Sequence, residues 1–177
     1  MIYIVRHGET DANTTNVIRG SYFDDDLNAV GHAQARETAK QLEGVKFDVC
    51  YCSPLKRTLQ TCAPIYSGEV IMEKRLLPRD YGKLVELGES PEWLEANGYW
   101  NRERDLPVEN GESVSQVETR MRNFLDDIKQ KHAGQNVLVV THGSIMAVIN
   151  AIMADFKHGD ECHQYRVKNC AVLEVPN

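Results

Sequence analysis

The sequence predicts a three-layer α/β sandwich, with a mostly parallel central sheet and helices on both faces. Three observations predict it. Short apolar, β-branched runs alternate along the chain with segments of helical periodicity. The strongest strand, Val137 to Val140, is followed directly by an apolar helix opening at Gly143. No internal repeat, low-complexity tract or linker interrupts the alternation, so residues 1–177 read as a single domain.

The elements follow in order. Ile2 to Val5 is a short apolar run with β-branched residues, the first buried strand. A polar segment comes next, carrying Gly8, Gly20 and the acidic run Asp24 to Asp26. Asn28 caps a helix reaching about Leu42, which Gly44 ends. Phe47 to Cys52 is the second strand. Ser53-Pro54 then offers an N-cap and a proline at the first helical position. The helix it starts carries Leu55, Leu59 and Cys62 on one face and ends near Ala63.

Val70 to Met72 is a third short strand. Residues 75–112 are less regular and rich in glycine and proline, with one short helix from Pro91 to Ala96. They read as a lid-like insertion over one end of the sheet. Ser113 begins a clear helix with Gln116 placed for a capping box, and Val117, Met121, Phe124, Leu125 and Ile128 form its apolar stripe. The Val137 strand and the helix through Met153 follow. Tyr165 to Val167 and Ala171 to Val175 read as closing strands.

Composition narrows the function. With 42% hydrophobic and 26% charged residues, the chain is an ordinary globular protein, which excludes disordered and fibrous classes. A formal net charge of -6 disfavours nonspecific binding to nucleic acid or to an anionic membrane. An anionic ligand would need positive charge concentrated locally. No apolar run approaches a membrane span, and Met1 to Arg6 turns polar too soon for a signal peptide, so the cytoplasm is the expected location. The five cysteines are odd in number and irregularly spaced, which suits reduced thiols better than a disulfide framework.

In an open parallel sheet, ligands bind beyond the carboxyl ends of the strands. Three strands here end in chemically active residues. The first runs into Arg6-His7-Gly8-Glu9-Thr10, the second into Ser53-Pro54-Leu55-Lys56-Arg57, and the Val137 strand into Thr141-His142-Gly143. If the three are neighbours, two histidines and two arginines converge. Arginine offers forked donors that match phosphate oxygens. The helix opening at Gly143 adds backbone N–H groups and a positive dipole end. Histidine can act as a nucleophile at neutral pH.

These motifs resemble those of the histidine phosphatase superfamily, which includes the phosphoglycerate mutases. The likeness covers nearly the whole chain. Arg6-His7-Gly8-Glu9-Thr10 resembles the opening motif, and Asn13 stands where the family has a phosphate-contacting asparagine. Ser53-Pro54-Leu55-Lys56-Arg57-Thr58 is similar to the second motif, Gly111-Glu112-Ser113 to the turn before the long helix, and Thr141-His142-Gly143 to the second histidine motif.

The resemblance implies that His7 takes a phosphoryl group while Arg6, Arg57 and His142 hold its oxygens. Thr10, Asn13 and the Arg19-Gly20-Ser21 loop would line the site. Apart from the resemblance, the backbone at Gly143 suits a bound phosphate, and Arg79, with Arg102 and Arg104, points to a second anionic group or a polar metabolite as substrate. No metal or other cofactor is needed, since two arginines and a histidine supply positive charge. The expected activity is hydrolysis of a phosphomonoester of a small metabolite through a phosphohistidine. Phosphoglycerate mutase-type transfer, or a phosphate-ligand binding protein with weak catalysis, are the alternatives.

One departure matters. Family members often carry a glutamate general acid in a segment of the type Leu-x-Glu-x-x-Tyr/Phe-Gly. Here it reads Leu76-Leu77-Pro78-Arg79-Asp80-Tyr81-Gly82, with proline at the glutamate position. Asp80, two residues on, is the first candidate for the acid, ahead of Glu86 and Glu112. Other clusters carry less. His158-Gly159-Asp160-Glu161-Cys162-His163 fits no usual zinc spacing. Cys50 and Cys52 read as small core residues, and Asp24 to Asp26 as a solvated turn. Trp93, Tyr99 and Trp100 either close over the substrate or form the insertion's own small core.

Overall fold

The computed structural model describes residues 1–177 apart from Asn16, Tyr22 and His158. Five strands form one sheet: β1 (Ile2–Arg6), β2 (Val49–Cys52), β3 (Val70–Met72), β4 (Val137–Thr141) and β5 (Val172–Val175). Their order is β3-β2-β4-β1-β5. Neighbours pair in parallel except β5, which runs antiparallel to β1. The mostly parallel α/β architecture expected from the sequence is the one that forms.

Seven helices surround the sheet among the described residues: α1 (Asp11–Thr14), α2 (Ala29–Gln41), α3 (Lys56–Cys62), α4 (Lys83–Glu86), α5 (Pro91–Ala96), α6 (Val114–Lys131) and α7 (Gly143–Met153). Strand alternation divides the core into two layers. Ile2, Ile4, Val137 and Val139 pack with the apolar stripe of α6 and with Ile145, Met146 and Ile149 of α7. Val5, Leu138 and Val140 face the other way, toward Leu42, Leu59 and Cys62 at α2 and α3. Met121, Phe124 and Ile128 are almost wholly buried, each worth roughly 2 kcal/mol over exposure.

Local signals explain the ends of most helices. Asn28 accepts the N–H of Gly31 to start α2. Ser113 and Gln116 form a reciprocal capping box at α6. Three expectations are corrected. The second strand is shorter than expected, beginning at Val49 instead of Phe47. The helix after it begins at Lys56, not at Pro54, and its first N–H donates to Asp24 Oδ1 at 2.6 Å. The cap therefore comes from a distant loop, and Ser53 is released for another task. Tyr165 to Val167 form no strand: Tyr165 closes a 3-10 turn, and its carbonyl accepts from the Asn150 side chain of α7. That carbonyl is satisfied by a helix instead of a neighbouring strand.

Residues 75–112 pack into the main core through Leu76, Tyr81, Leu84, Leu94, Trp100 and Val108. Among the described residues no helix is long and apolar enough to cross a membrane. Register delivers the functional residues. Arg6 pairs with Thr141, and Cys52 with Val140, so the carboxyl ends of β1, β2 and β4 finish at one rim.

Candidate active site

At that rim lies a cavity of about 360 Å³. Arg6, His7, Arg57 and His142 line it, with Thr10, Asn13, Arg19, Gly20 and Gly143. The sequence-predicted residues thus converge, with three exceptions among the described residues. Ser21 is not part of the lining. Arg79 is fully buried beside it, donating to the carbonyls of Glu112 and Tyr99. Its guanidinium stacks against Tyr81 and Trp100, whose own side chains do reach the cavity. Asp80 is turned aside, because its Oδ1 accepts the N–H of Gly82 at 2.8 Å. The carboxylate that does reach the cavity is Asp25.

His7 is set by the backbone. Its Nδ1 lies 2.7 Å from the carbonyl of Gly8. A carbonyl only accepts, so Nδ1 carries the proton and Nε2 keeps its lone pair. Asn169 Nδ2 donates to the His7 carbonyl at 3.0 Å and fixes the turn after β1. Gly8 N donates to Thr61 Oγ1 of α3. A Cβ on Gly8 would stand 2.6 Å from the Gly31 carbonyl, so only glycine lets this turn lie against α2.

His142 stands edge-on to His7, with ring centroids 5.2 Å apart. Its Nε2 lies 2.8 Å from Ser53 Oγ. With the serine hydroxyl donating, Nδ1 carries the proton, and that buried atom has no partner among the described residues. It is a donor available to an anion. Gly143 begins α7 directly after His142, which adds a helix N-terminus of the same polarity.

Electrostatics favour an anion strongly. Burial, with the charges of Arg57 and then Arg6, lowers the His7 pKa to about 3, so its ring is neutral and nucleophilic at neutral pH. Burial, then His7 and both arginines, also hold His142 well below its ordinary value. Burial and the neighbouring Arg166 lower Arg6 to about 10, which leaves it charged. Arg57 is lowered by burial and supported by Asp25 and Asp24. Its guanidinium is held by the carbonyl of Phe23 at 2.8 Å. The result is a localised cationic pocket in an acidic protein.

Sequence reasoning missed several residues here. Ser53, which orients His142, looked like a helix cap. Asp25 belonged to a run read as a solvated turn. In the structure Asp24 caps α3 and Asp26 accepts from Gln60, so the residue between them points the other way, into the cavity. Arg166, Asn169 and Ser144 also line the cavity without a motif to announce them. Trp100 lines the cavity, and it packs into the main core of the sheet, 1% exposed, instead of forming a separate core of the insertion. Of the residues set aside as a metal cluster, His158 lies outside the described residues, and Glu161 accepts from Asn101.

Comparison with known proteins agrees with this geometry. A phosphoglycerate mutase of Brucella anthropi, described as 2,3-bisphosphoglycerate-dependent, is 33% identical over 166 residues, covering 85% of this chain and 80% of its own. The corresponding enzyme of Mesorhizobium japonicum is 33% identical over 175 residues, covering 90% and 84%. Among solved structures, Entamoeba histolytica phosphoserine phosphatase in complex with 3-phosphoglyceric acid superposes with a TM-score of 0.79 at 26% identity, covering 97% of this chain and 87% of that one. A mycobacterial glucosyl-3-phosphoglycerate phosphatase bound to VO3 shares the fold, with a TM-score of 0.78 at 21% identity over 97% and 90% of the two chains. Residues 2–176 match the histidine phosphatase superfamily, branch 1. With paired His-Gly turns at neighbouring strand ends and a match spanning nearly its full length, this chain belongs to that superfamily.

Proposed function

We propose that this chain is a phosphatase that hydrolyses a small phosphomonoester through a phosphohistidine on His7. The observation that carries the reading is the orientation of His7. Its Nδ1–H is committed to the Gly8 carbonyl, leaving a neutral Nε2 in a cavity shared with Arg6, Arg57 and His142. In the first step Nε2 attacks phosphorus and the ester oxygen departs. In the second, water attacks phosphorus and His7 leaves as neutral imidazole. Arg6, Arg57 and the Nδ1–H of His142 hold the equatorial oxygens in both steps, where charge is spread over them. Thr10, Asn13 and Gly143 border the same anion. The five cysteines are free thiols, which supports a reducing compartment such as the cytoplasm.

The mutase reading draws support from the relatives that carry that name. A phosphoglycerate presents a carboxylate besides its phosphate, and a site that retains it needs cations to spare. The two further arginines at this cavity already face carboxylates: Arg19 meets Asp25 at 3.9 Å, and Arg166 is bonded to Glu95. That pairing favours hydrolysis of a monophosphate over mutase transfer.

The test is rapid-quench trapping with a labelled aryl phosphate, followed by peptide mapping. Acid-labile label on His7, its loss in His7→Ala, and release of inorganic phosphate without added bisphosphoglycerate are expected. Label on another residue, or turnover surviving in His7→Ala, would sink the mechanism.

A further inference from the structure

Expulsion of an alkoxide requires a proton delivered as the phosphorus–oxygen bond breaks. The surroundings of the cavity supply no free acid for it among the described residues. Pro78 lines the cavity and offers only ring methylenes. Asp80 is committed to the Gly82 N–H. Glu112 accepts from Arg120 Nε at 2.7 Å with one oxygen, and from Arg120 Nη2 and Asp80 N with the other. Glu86 is exposed on α4. Asp25 does reach the cavity, but it is engaged with cations there, Arg19 at 3.9 Å and the nearby Arg57.

One side of the cavity is apolar and aromatic. Tyr81, Pro91, Leu94 and Trp100 line it beside Pro78, and the arginines at its edge face carboxylates of their own. A flat, uncharged group is what such a wall accepts.

We propose that the substrates are aryl monophosphates, esters of uncharged phenols whose oxygen leaves without protonation. The inference rests on the phosphatase reading above. As the bond from His7 Nε2 to phosphorus forms, the bond to the aryl oxygen breaks, and its electron pair departs on the phenoxide. Solvent protonates that phenoxide. Water then attacks phosphorus, and the phosphorus–nitrogen pair returns to Nε2, while the proton stays on Nδ1, hydrogen-bonded to the Gly8 carbonyl throughout. Ester and water become phenol and inorganic phosphate, with no other reactant.

The experiment compares phenyl phosphate with benzyl phosphate on the full chain. Both present the same ring, but benzyl phosphate leaves as an alkoxide. Without a positioned acid, benzyl phosphate should be slower by about 100- to 10,000-fold in kcat/KM, the usual worth of such a group. In a second arm, 4-carboxyphenyl phosphate should be a poorer substrate than phenyl phosphate. Glu95→Gln should narrow that gap by freeing Arg166, with phenyl phosphate turnover unchanged. A third arm uses a phosphotyrosyl peptide, which should be a poorer substrate than phenyl phosphate; a peptide turned over faster would overturn the assignment to small, uncharged phenols.

Benzyl phosphate turned over within about tenfold of phenyl phosphate would overturn the proposal. If Asp25→Asn then abolished only the benzyl reaction, Asp25 would be the proton donor. Failure of the aryl phosphates alone to label His7 would overturn the proposal, and failure of aryl and alkyl phosphates alike to label it would overturn the phosphatase reading itself.

Discussion

Replacing His7 with asparagine should flatten the acid dependence of folding stability. Burial, followed by the charges of Arg57 and Arg6, lowers the His7 pKa from 6.5 to about 3. An unfolded chain takes up a proton on this ring as pH falls through about 6.5, while the folded chain refuses it until about pH 3. Across that window unfolding binds a proton, so stability falls as pH falls, by up to about 1.4 kcal/mol per pH unit. Between about pH 7 and about pH 5 the loss is roughly 2 kcal/mol for this one residue. The figure is set by the unfolded pKa, provided the folded one lies well below 5, so it does not depend on how far burial drives it. His142, also lowered by burial and then by His7, adds a loss of the same sign.

His7→Asn removes one of these two protons. The asparagine amide can still donate to the Gly8 carbonyl, so the turn keeps its bond. Urea denaturation at the two pH values is the assay, with equal m-values as the check on two-state behaviour. The parent chain should lose about 2 kcal/mol more than the variant over the interval. A cavity left by the substitution shifts both pH values alike and cancels. Parallel losses in the two proteins would refute the claim that His7 is held neutral.

Two further outcomes follow from close contacts. Gly31→Ala would bring a Cβ within 2.1 Å of the Glu9 carbonyl, so it should cost about 1–3 kcal/mol in denaturation and lower kcat by shifting the turn that holds His7. Ser53→Ala would leave the buried His142 Nε2 without its 2.8 Å partner, which should cost roughly 1–3 kcal/mol and weaken vanadate binding measured by thermal shift.

Much of the fold was legible because its signals are local. Asn28 and the Ser113–Gln116 pair name their helix starts, and apolar runs name β1 and β4. Misreadings arose where a distant group overrides a local preference. Ser53-Pro54 has the chemistry of a helix start, but Asp24 supplies the cap and His142 claims the serine. Tyr165 to Val167 look strand-like, but a helix side chain satisfies the Tyr165 carbonyl. Asp80 stands two residues from the motif position and would share its face in an extended segment. The tight turn at Gly82, with φ of +45°, draws its carboxylate back onto the chain instead.

The sequence by itself determined the chemistry that could occur. Two His-Gly turns after apolar strands, with two arginines, carry the resemblance to the histidine phosphatase superfamily, because each turn places its residue within a few positions of a buried strand end. Tertiary structure decided which groups share that site and in what state. Asp25, Ser53, Arg166 and Trp100 come from four separate segments, and no spacing relates them. The neutrality of His7 likewise arises from burial and from charges carried on β1 and α3. A pattern in sequence reports neighbours along the chain. Desolvation, ion pairing and the lining of a cavity depend on neighbours in space, which exist only once the sheet has aligned its strand ends.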